Sequence, residues 1–188
     1  MELLIYGAKE FAETVSSLVR DCGYRVTGMV DDYHVGDGIL GPLDAVARSH
    51  PPADYGFAMA IGYSNIPARW RAWERVRSLG YRAPALIHPR AYVADSALLG
   101  AGVMIMAGAI VDTSAEVGDL AVVWPGACVN HDVVVGRNTF IAPNATVCGF
   151  ARIGPHSFIG AGSVIVDHGN VPEASFVKML TRYTGNST

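Results

Sequence analysis

The sequence predicts an α/β domain followed by a β-solenoid, two architectures in one chain of 188 residues. Strand-like and helix-like segments alternate through positions 1–84. From position 85 onwards, an aliphatic residue recurs at every sixth position, and glycine recurs at three times that period. These observations place domains at 1–84 and 85–177, followed by a C-terminal cap or tail at 178–188.

The first domain is expected to form a small parallel sheet, because strands that alternate with helices pair in parallel. Short apolar runs predict strands, and apolar residues at helical spacing predict helices. The strands are expected at 3–6, 24–30 and 55–62, and the helices over 10–21, 42–49 and 66–78. In the last helix, Trp70, Trp73 and Val76 are expected to face inward, and Arg69, Arg71, Arg75 and Arg77 outward.

Candidate binding residues follow each of these strands. Gly7 and Lys9 follow the first strand, Asp31 and Asp32 the second, and Gly62 the third. Ligands of open parallel sheets bind beyond the carboxyl ends of the strands, so these residues are expected on one rim. An acid about 24 residues after the first glycine has the spacing of a carboxylate that binds a nucleoside. The alternative is that the two aspartates are solvated turn residues.

The second domain is expected to be a triangular solenoid. Sixteen positions, each the sixth after the last, all hold Ile, Leu or Val. They are Ile87, Val93, Leu99, Ile105, Val111, Val117, Val123, Val129, Val135, Ile141, Val147, Ile153, Ile159, Ile165, Val171 and Val177. A period of six excludes an α-helix, whose period is about 3.6 residues.

A second period shows how the repeats close. Gly100, Gly118, Gly136 and Gly154 recur at every third repeat unit, which indicates that three short strands make one turn. We expect the aliphatic row to point inward and each strand to pair in parallel with the turns above and below it. The four glycines are expected to adopt positive φ at one corner.

Composition excludes several classes of function. The net charge of −3 provides no basic surface for nucleic acid. No apolar run approaches the roughly 18 residues of a membrane span, and the start of the chain is not a secretory signal, so no membrane insertion is expected. Three cysteines without a CxxC motif are expected to be buried thiols in a reducing cytoplasm. Only 16% of residues are charged, which indicates that much of the surface is covered by the chain itself or by its copies.

The repeat over residues 117–165, VGDLAVVWPGACVNHDVVVGRNTFIAPNATVCGFARIGPHSFIGAGSVI, resembles the hexapeptide-repeat acyltransferases. From Leu3 to about Ile165, the chain resembles one subgroup of them. These are bacterial sugar O- and N-acyltransferases related to sialic acid O-acetyltransferases and UDP-4-amino-sugar N-acetyltransferases. The matching segments include LLIYGA, VDD at 30–32, AIG at 60–62 and VNHD at 129–132. The resemblance implies a Rossmann-like domain that holds a sugar nucleotide, and a left-handed parallel β-helix that forms homotrimers and binds acetyl-CoA between chains.

His131 and Asp132 are the candidate catalytic residues. They are expected at a corner of the solenoid, away from the inward aliphatic row. The resemblance implies that His131 is the general base, since imidazole titrates near neutrality, and that Asp132 orients its ring. The alternative is that His131 is an ordinary residue facing solvent.

The resemblance also assigns cofactor contacts by register to Phe140, Gly149 and Ala161. Zinc is not expected, because the second domain has no His-x4-His pair among its histidines. Those histidines are His88, His131, His156 and His168. At the end of the chain, FVKMLTRYTGNST stands where the family has another turn of the coil. The spacing of Phe176, Met179, Leu180 and Tyr183 predicts a short capping helix.

Taken together, the resemblance implies an acetyl-CoA-dependent acetyltransferase that acts on an amino sugar, expected to be nucleotide-linked, in surface-glycan synthesis. N-acetylation is preferred to O-acetylation on the resemblance alone. Three alternatives stay open: a sugar O-acetyltransferase, a binding or scaffold protein that kept the fold without the activity, and an acyltransferase that uses another donor or a non-nucleotide acceptor.

Overall fold

The computed structural model describes residues 1–185 and divides them into two compact units. The first unit is Met1–Leu86, and the second begins at Ile87. The sequence placed this boundary slightly earlier, after position 84.

The first unit contains one parallel sheet and three α-helices. Its elements are β1 (Glu2–Tyr6), α1 (Glu10–Asp21), β2 (Arg25–Val30), β3 (Ile39–Gly41), α2 (Leu43–Val46), β4 (Tyr55–Met59) and α3 (Ile66–Ser78), with a 3-10 turn at Tyr63–Asn65. The strand order is β3-β2-β1-β4, and all three pairings are parallel. The predicted parallel sheet is therefore confirmed. The central strand β1 is buried from Leu3 to Tyr6, as expected of a strand whose two faces are both covered.

Helix α3 corrects the predicted orientation of one arginine. Asn65 caps the start of the helix, since its side chain accepts a hydrogen bond from the Ala68 N–H at 3.1 Å. Its buried residues are Arg69, Ala72, Trp73 and Val76. Arg69 was expected to face outward but is completely buried, because it lies one turn before Trp73 on the same face. Burial lowers the pKa of Arg69 to about 9.

Trp70 also departs from its expected inward orientation. The residue is only half-buried, and its indole N–H donates to Glu74 Oε1 at 2.9 Å, across one turn of the exposed side of the helix. The other two predicted inward residues, Trp73 and Val76, are buried.

The second unit is the predicted β-solenoid, built from very short strands. They are β5 (Leu86–Ile87), β6 (Tyr92–Val93), β7 (Leu98–Leu99), β8 (Met104–Ile105), β9 (Ile110–Val111), β10 (Glu116–Val117), β11 (Val122–Val123), β12 (Cys128–Val129), β13 (Val134–Val135), β14 (Phe140–Ile141), β15 (Thr146–Val147), β16 (Arg152–Ile153), β17 (Phe158–Ile159), β18 (Val164–Ile165), β19 (Asn170–Val171), β20 (Phe176–Val177) and β21 (Arg182–Tyr183).

Each strand joins one of three parallel sheets. Their orders are β19-β16-β13-β10-β7, β20-β17-β14-β11-β8-β5 and β21-β18-β15-β12-β9-β6. Val123, for example, lies in register with Ile105 on one side and with Ile141 on the other, each three strands away along the chain. Three strands therefore complete one turn, as the glycine period predicted.

The second residue of each strand forms the core. From Ile105 to Val177, every member of the aliphatic row is at most 4% exposed. Ile87, Val93 and Leu99 are less buried, because they lie in the first turn, which has another turn of the solenoid on one side only. Stacking on neighbouring turns therefore provides the burial that stabilises the solenoid.

The glycines that recur once per turn have a different role from the expected one. None of Gly100, Gly118, Gly136 and Gly154 has positive φ. Each lies instead against the backbone of the next turn. A Cβ on Gly136 would lie 2.5 Å from the Pro155 nitrogen, and one on Gly154 would lie 2.4 Å from the Glu173 nitrogen. Glycine is required at this corner by close approach rather than by backbone conformation.

The C-terminal capping helix predicted from Phe176 to Tyr183 is wrong. Strands β20 and β21 occupy this segment, and Ile165 lies in register with Tyr183. The spacing that suggested a helix instead leaves Phe176, Met179 and Leu180 exposed around one more turn of the coil. The predicted cap or tail at 178–188 is thus solenoid as far as Tyr183, and its last three residues lie outside the described residues.

Candidate active site

His131 lies at a corner of the solenoid, between β12 and β13. Asn130 fixes the start of this corner, since its side-chain N–H donates to the Val147 carbonyl at 2.9 Å. Asp132 adopts a φ of 58°, a conformation that aspartate tolerates better than most residues, and its backbone N–H donates to the Thr113 carbonyl at 3.0 Å. The turn directs the side chain of His131 outward, where it is 49% exposed.

The two candidate catalytic side chains are in contact. His131 Nδ1 lies 2.9 Å from Asp132 Oδ2. With the ring proton on Nδ1, the imidazole donates to this carboxylate and its Nε2 keeps a lone pair. The contact therefore selects the tautomer that a general base needs.

Gly149 lies one turn further along the same corner and leaves room for the imidazole. A Cβ at this position would lie 2.7 Å from His131 Cε1 and 2.9 Å from His131 Nε2. Because Gly149 has no side chain, the imidazole ring of His131 lies directly against its Cα. We call the surface beside Gly149 Cα, bordered by His131 Nε2, the Gly149 notch.

An aromatic column continues from His131 along this corner. The ring of Phe150 meets that of His131 edge-on, with centroids 5.2 Å apart. The ring of His168 stacks on Phe150 at 4.9 Å, and His168 Nε2 lies 3.4 Å from Asp167 Oδ2. Phe150, Asp167 and His168 were not among the predicted site residues. The period of one turn could have found them, because 149 and 167 follow 131 at one and two turns, as 150 and 168 follow 132.

The other two predicted cofactor residues lie elsewhere in the solenoid. Phe140 is completely buried on β14, in a different sheet from β12. Ala161 follows β17 at another corner, where its carbonyl accepts from the Leu180 N–H at 2.9 Å. Within one chain, only Gly149 of the three predicted cofactor residues adjoins His131.

The predicted rim of the first unit brings Gly7 close to the end of β4. Gly7 has a φ of 112°, and a Cβ there would lie 2.9 Å from the Ala60 carbonyl oxygen. Gly62 follows β4 and precedes the 3-10 turn, and the exposed Lys9 is the N-cap of α1. These residues lie where β1 and β4 end, as the strand order predicts.

Asp31 ties the ends of β1 and β2 together. Its Oδ2 accepts from the Ala8 N–H at 3.2 Å, and its Oδ1 accepts from the N–H groups of Tyr33 and His34 at 2.9 and 3.0 Å. Burial tends to raise the pKa of the Asp31 carboxyl, but the backbone N–H of Tyr33 and the side chain and backbone of His34 outweigh it and hold the pKa below its ordinary value.

Asp32 is held by contacts within the first unit. Its Oδ2 accepts from the Tyr6 hydroxyl at 2.7 Å and from Arg75, and its Oδ1 accepts from the Leu43 N–H at 2.9 Å. Burial tends to raise its pKa, but the bonds from Tyr6, Leu43 and Arg75 lower it overall. Arg75 also contacts Asp44 at 3.1 Å. We refer to Tyr6, Asp32, Asp44 and Arg75 as the Asp32 network.

A metal site and a membrane-spanning helix are both absent from the part of the chain that the structure describes. No group of three or more His, Cys, Asp or Glu side chains among residues 1–185 is arranged to hold a metal ion. Within the same residues, each helix is too short or too polar to cross a membrane.

Comparisons with known proteins confirm the resemblance to hexapeptide-repeat sugar acyltransferases. The family described as bacterial transferase hexapeptide (six repeats) matches residues 132–167. No curated protein sequence shows a significant match.

Solved structures match nearly the whole chain. The acetyltransferase domain of PglB from Neisseria gonorrhoeae, in complex with acetyl coenzyme A, is 27% identical with a TM-score of 0.89, covering 98% of this chain and 91% of that one. PerB from Caulobacter crescentus, in complex with CoA and GDP-perosamine, is 25% identical with a TM-score of 0.77, covering 98% of each chain. WeeI from Acinetobacter baumannii, 20% identical with a TM-score of 0.82 over 98% of this chain and 92% of that one, shows the common fold.

Proposed function

We propose that this protein is an acetyl-CoA-dependent N-acetyltransferase whose acceptor is a nucleotide-linked amino sugar, in the synthesis of a surface glycan. One observation carries the proposal: His131 presents Nε2 to the Gly149 notch while Asp132 holds Nδ1. The matches to the acetyl coenzyme A complex of PglB and to the CoA and GDP-perosamine complex of PerB support the donor and the acceptor class.

His131 takes the proton of the acceptor in this mechanism. The neutral amine attacks the carbonyl carbon of the acetyl thioester, so that a C–N bond forms and the C–S bond breaks. Nε2 accepts the N–H proton and passes it to the departing thiolate, which leaves as the CoA thiol. Asp132 stabilises the imidazolium formed in between, as the carboxylate of a catalytic triad does.

The first unit is proposed to be a Rossmann-like domain that binds the nucleotide. Gly7, Lys9 and Gly62 are the residues at its rim best placed for this role, since ligands of such sheets bind beyond the carboxyl ends of the strands. Lys9 is exposed and supplies a positive charge for a phosphate. Asp31 and Asp32 accept hydrogen bonds from groups within the unit. Their proposed role is therefore to hold the rim in shape, before any contact with the nucleotide.

We further propose that the solenoid is left-handed and forms homotrimers, with acetyl-CoA bound between subunits. The two sheets that meet at the corner of His131 carry exposed apolar side chains. They include Tyr92, Leu98, Ile110 and Val164. A contact between copies would cover this surface and bring Ala161 of one subunit nearer to His131 of another, whereas the completely buried Phe140 would pack behind the site. The enzyme is placed in the cytoplasm, where its cysteine thiols would stay reduced.

Thiol release tests the function. The protein is mixed with acetyl-CoA and UDP-, GDP- or dTDP-linked amino sugars, and free thiol is followed. Turnover is expected with at least one amino sugar, and it should fall at least about 100-fold in His131→Ala. His156→Ala, at a different corner, is the matched control and should keep its activity.

Two results would overturn the proposal. Full activity of His131→Ala would remove this residue from the mechanism. Failure of the unmodified protein to bind CoA in calorimetry would favour the scaffold alternative.

A further inference from the structure

The Gly149 notch has a second polar wall, formed by a residue two turns away from His131. A Cβ on Gly149 would lie 2.9 Å from His131 Nε2 and 3.1 Å from Asp167 Oδ1. Both atoms therefore lie around one point beside Gly149 Cα, close enough together for one amine nitrogen just outside that point to contact them both. The mechanism proposed above uses His131 at this point and gives Asp167 no role.

Asp167 is held beside the notch by the aromatic column. Its Oδ2 lies 3.4 Å from His168 Nε2, and the His168 ring stacks on Phe150 with an interplanar angle of 7°. Phe150 in turn meets the His131 ring edge-on. This chain of contacts fixes one carboxylate oxygen against His168 and leaves the other, Oδ1, on the side of the notch. The side chain is 63% exposed, so an incoming molecule can reach it.

We infer that Asp167 binds the amino group of the acceptor and selects an amine over a hydroxyl. The inference rests on the proposed function and names the group that is acetylated. A primary amine arrives mostly as an ammonium ion, and a carboxylate binds an ammonium more strongly than a hydroxyl because the hydrogen bond is charge-assisted. A neutral hydroxyl gains only an ordinary hydrogen bond from the same oxygen.

The position of Asp167 also suits the proton steps. The ammonium first releases one proton to solvent, which leaves a neutral amine with two N–H bonds. One N–H stays hydrogen-bonded to Asp167 Oδ1 while the other faces His131 Nε2. The lone pair then attacks the thioester, and Nε2 accepts only the second proton. Asp167 acts as a binding residue here and holds no proton in any step.

The test compares pairs of nucleotide-linked sugars that differ only in an amino or a hydroxyl group at one carbon. For Asp167→Asn, the KM of the amino sugar is expected to rise about 10-fold, the lower end for a charged hydrogen bond, with kcat changed less than about 3-fold. The inhibition constant of the hydroxyl partner should change less than about 2-fold. Asp167→Glu keeps the charge and should give a KM between that of the unmodified protein and that of Asp167→Asn.

Asp95 provides a matched control. It is an exposed aspartate in the same register as Asp167, but two turns before His131 instead of two turns after it. Asp95→Asn removes the same charge and should leave the KM of the amino sugar unchanged.

The outcomes separate this inference from the proposed function. If Asp167→Asn leaves the KM unchanged, or weakens the amine and the hydroxyl equally, Asp167 does not select the amine, although the acetyltransferase proposal stands. If the unmodified protein releases no thiol with any sugar, the proposed function fails and this inference fails with it.

Discussion

The two units of this chain are stabilised in different ways. The solenoid repeats one contact, an aliphatic side chain stacked on its counterpart in the next turn, from Ile105 to Val177. The first unit also has an apolar core, but its β1, α2, α3 and the end of β2 are joined by the polar and charged side chains of the Asp32 network. The stability of the solenoid should therefore depend on the volume of its buried side chains. The stability of the first unit should depend on the charge of Asp32 as well.

The two units also differ in how they bring polar side chains together. The solenoid places side chains of successive turns in columns, so His131, Gly149 and Asp167 come together from residues far apart in sequence. The first unit uses its aspartates internally and presents glycines and Lys9 at its rim. A repeated coil can thus assemble the proposed catalytic site from few residue types, whereas the sheet supplies the rim at which we propose that the nucleotide binds.

The largest expected effect tests the solenoid. Ile141→Ala removes a completely buried side chain and should lower the free energy of unfolding by about 2–5 kcal/mol. Native-state hydrogen exchange, followed peptide by peptide, should locate the loss of protection in the neighbouring turns. Val35→Ala, at a position of the first unit that is 95% exposed, is the control and should cost about 0.5 kcal/mol or less. Equal losses in the two variants would contradict the stacking account.

A smaller, pH-dependent effect should distinguish the first unit. Asp32→Asn should lower the free energy of unfolding by about 1–3 kcal/mol at pH 7, because Tyr6, Leu43 and Arg75 lose a charged acceptor. The pKa of Asp32 is lowered in the folded state, so this stabilisation is complete above its ordinary value of 3.8 and is lost as the pH falls through the lowered pKa. At a pH below the lowered pKa, Asp32→Asn and the unmodified protein should therefore have nearly the same free energy of unfolding.

The helical circular dichroism signal measures this effect, since all the α-helices found in residues 1–185 belong to the first unit. Asp44→Asn is the control, because Asp44 is largely exposed and its ion pair should contribute about 0–1 kcal/mol. A difference between Asp32→Asn and the unmodified protein that stays constant from pH 7 to pH 3 would rule out a charge effect.

The smallest of the expected free-energy effects is on catalysis, at Gly149. Gly149→Ala brings a Cβ within 3.0 Å of the His131 ring, which must rotate away because it is the more flexible partner. We expect kcat to fall about 10-fold, equivalent to about 1.4 kcal/mol, with little change in stability. Gly36→Ala is the control, since a Cβ there meets nothing closer than 3.8 Å. A fully active Gly149→Ala would show that the ring position does not matter.

The sequence predicted most of the solenoid because its rule is local and periodic. It failed at Phe176–Tyr183, where a spacing of three and four positions fits a helix as well as the outward positions of a coil. It also failed at Arg69, where charge was taken as evidence of exposure although helical spacing places the residue beside Trp73. In the first case the six-residue register of the coil, and in the second the helical register relative to Trp73, is the better guide to where the side chains lie.

The candidate site was predictable in part. The contact between His131 and Asp132 follows from adjacent positions at one corner, and Gly149 follows at one turn. Asp167 was missed because the period of one turn was applied to the recurring glycines and not to the corner that holds His131. The contacts of Asp32 with Tyr6 and Arg75 join residues 26 and 43 positions away, and no pattern in the chain marks such pairs.

The column of His131, Gly149 and Asp167 also constrains how this chain can change in length. Each member is one full turn from the next, so a single inserted or deleted residue between 131 and 167 would rotate the two walls of the notch out of alignment. Even an extra whole turn would preserve the coil and yet lift the carboxylate about 5 Å further from the imidazole, the usual spacing of adjacent strands. Natural variants should therefore tolerate altered loop lengths at residues 33–38 while conserving this interval to the residue.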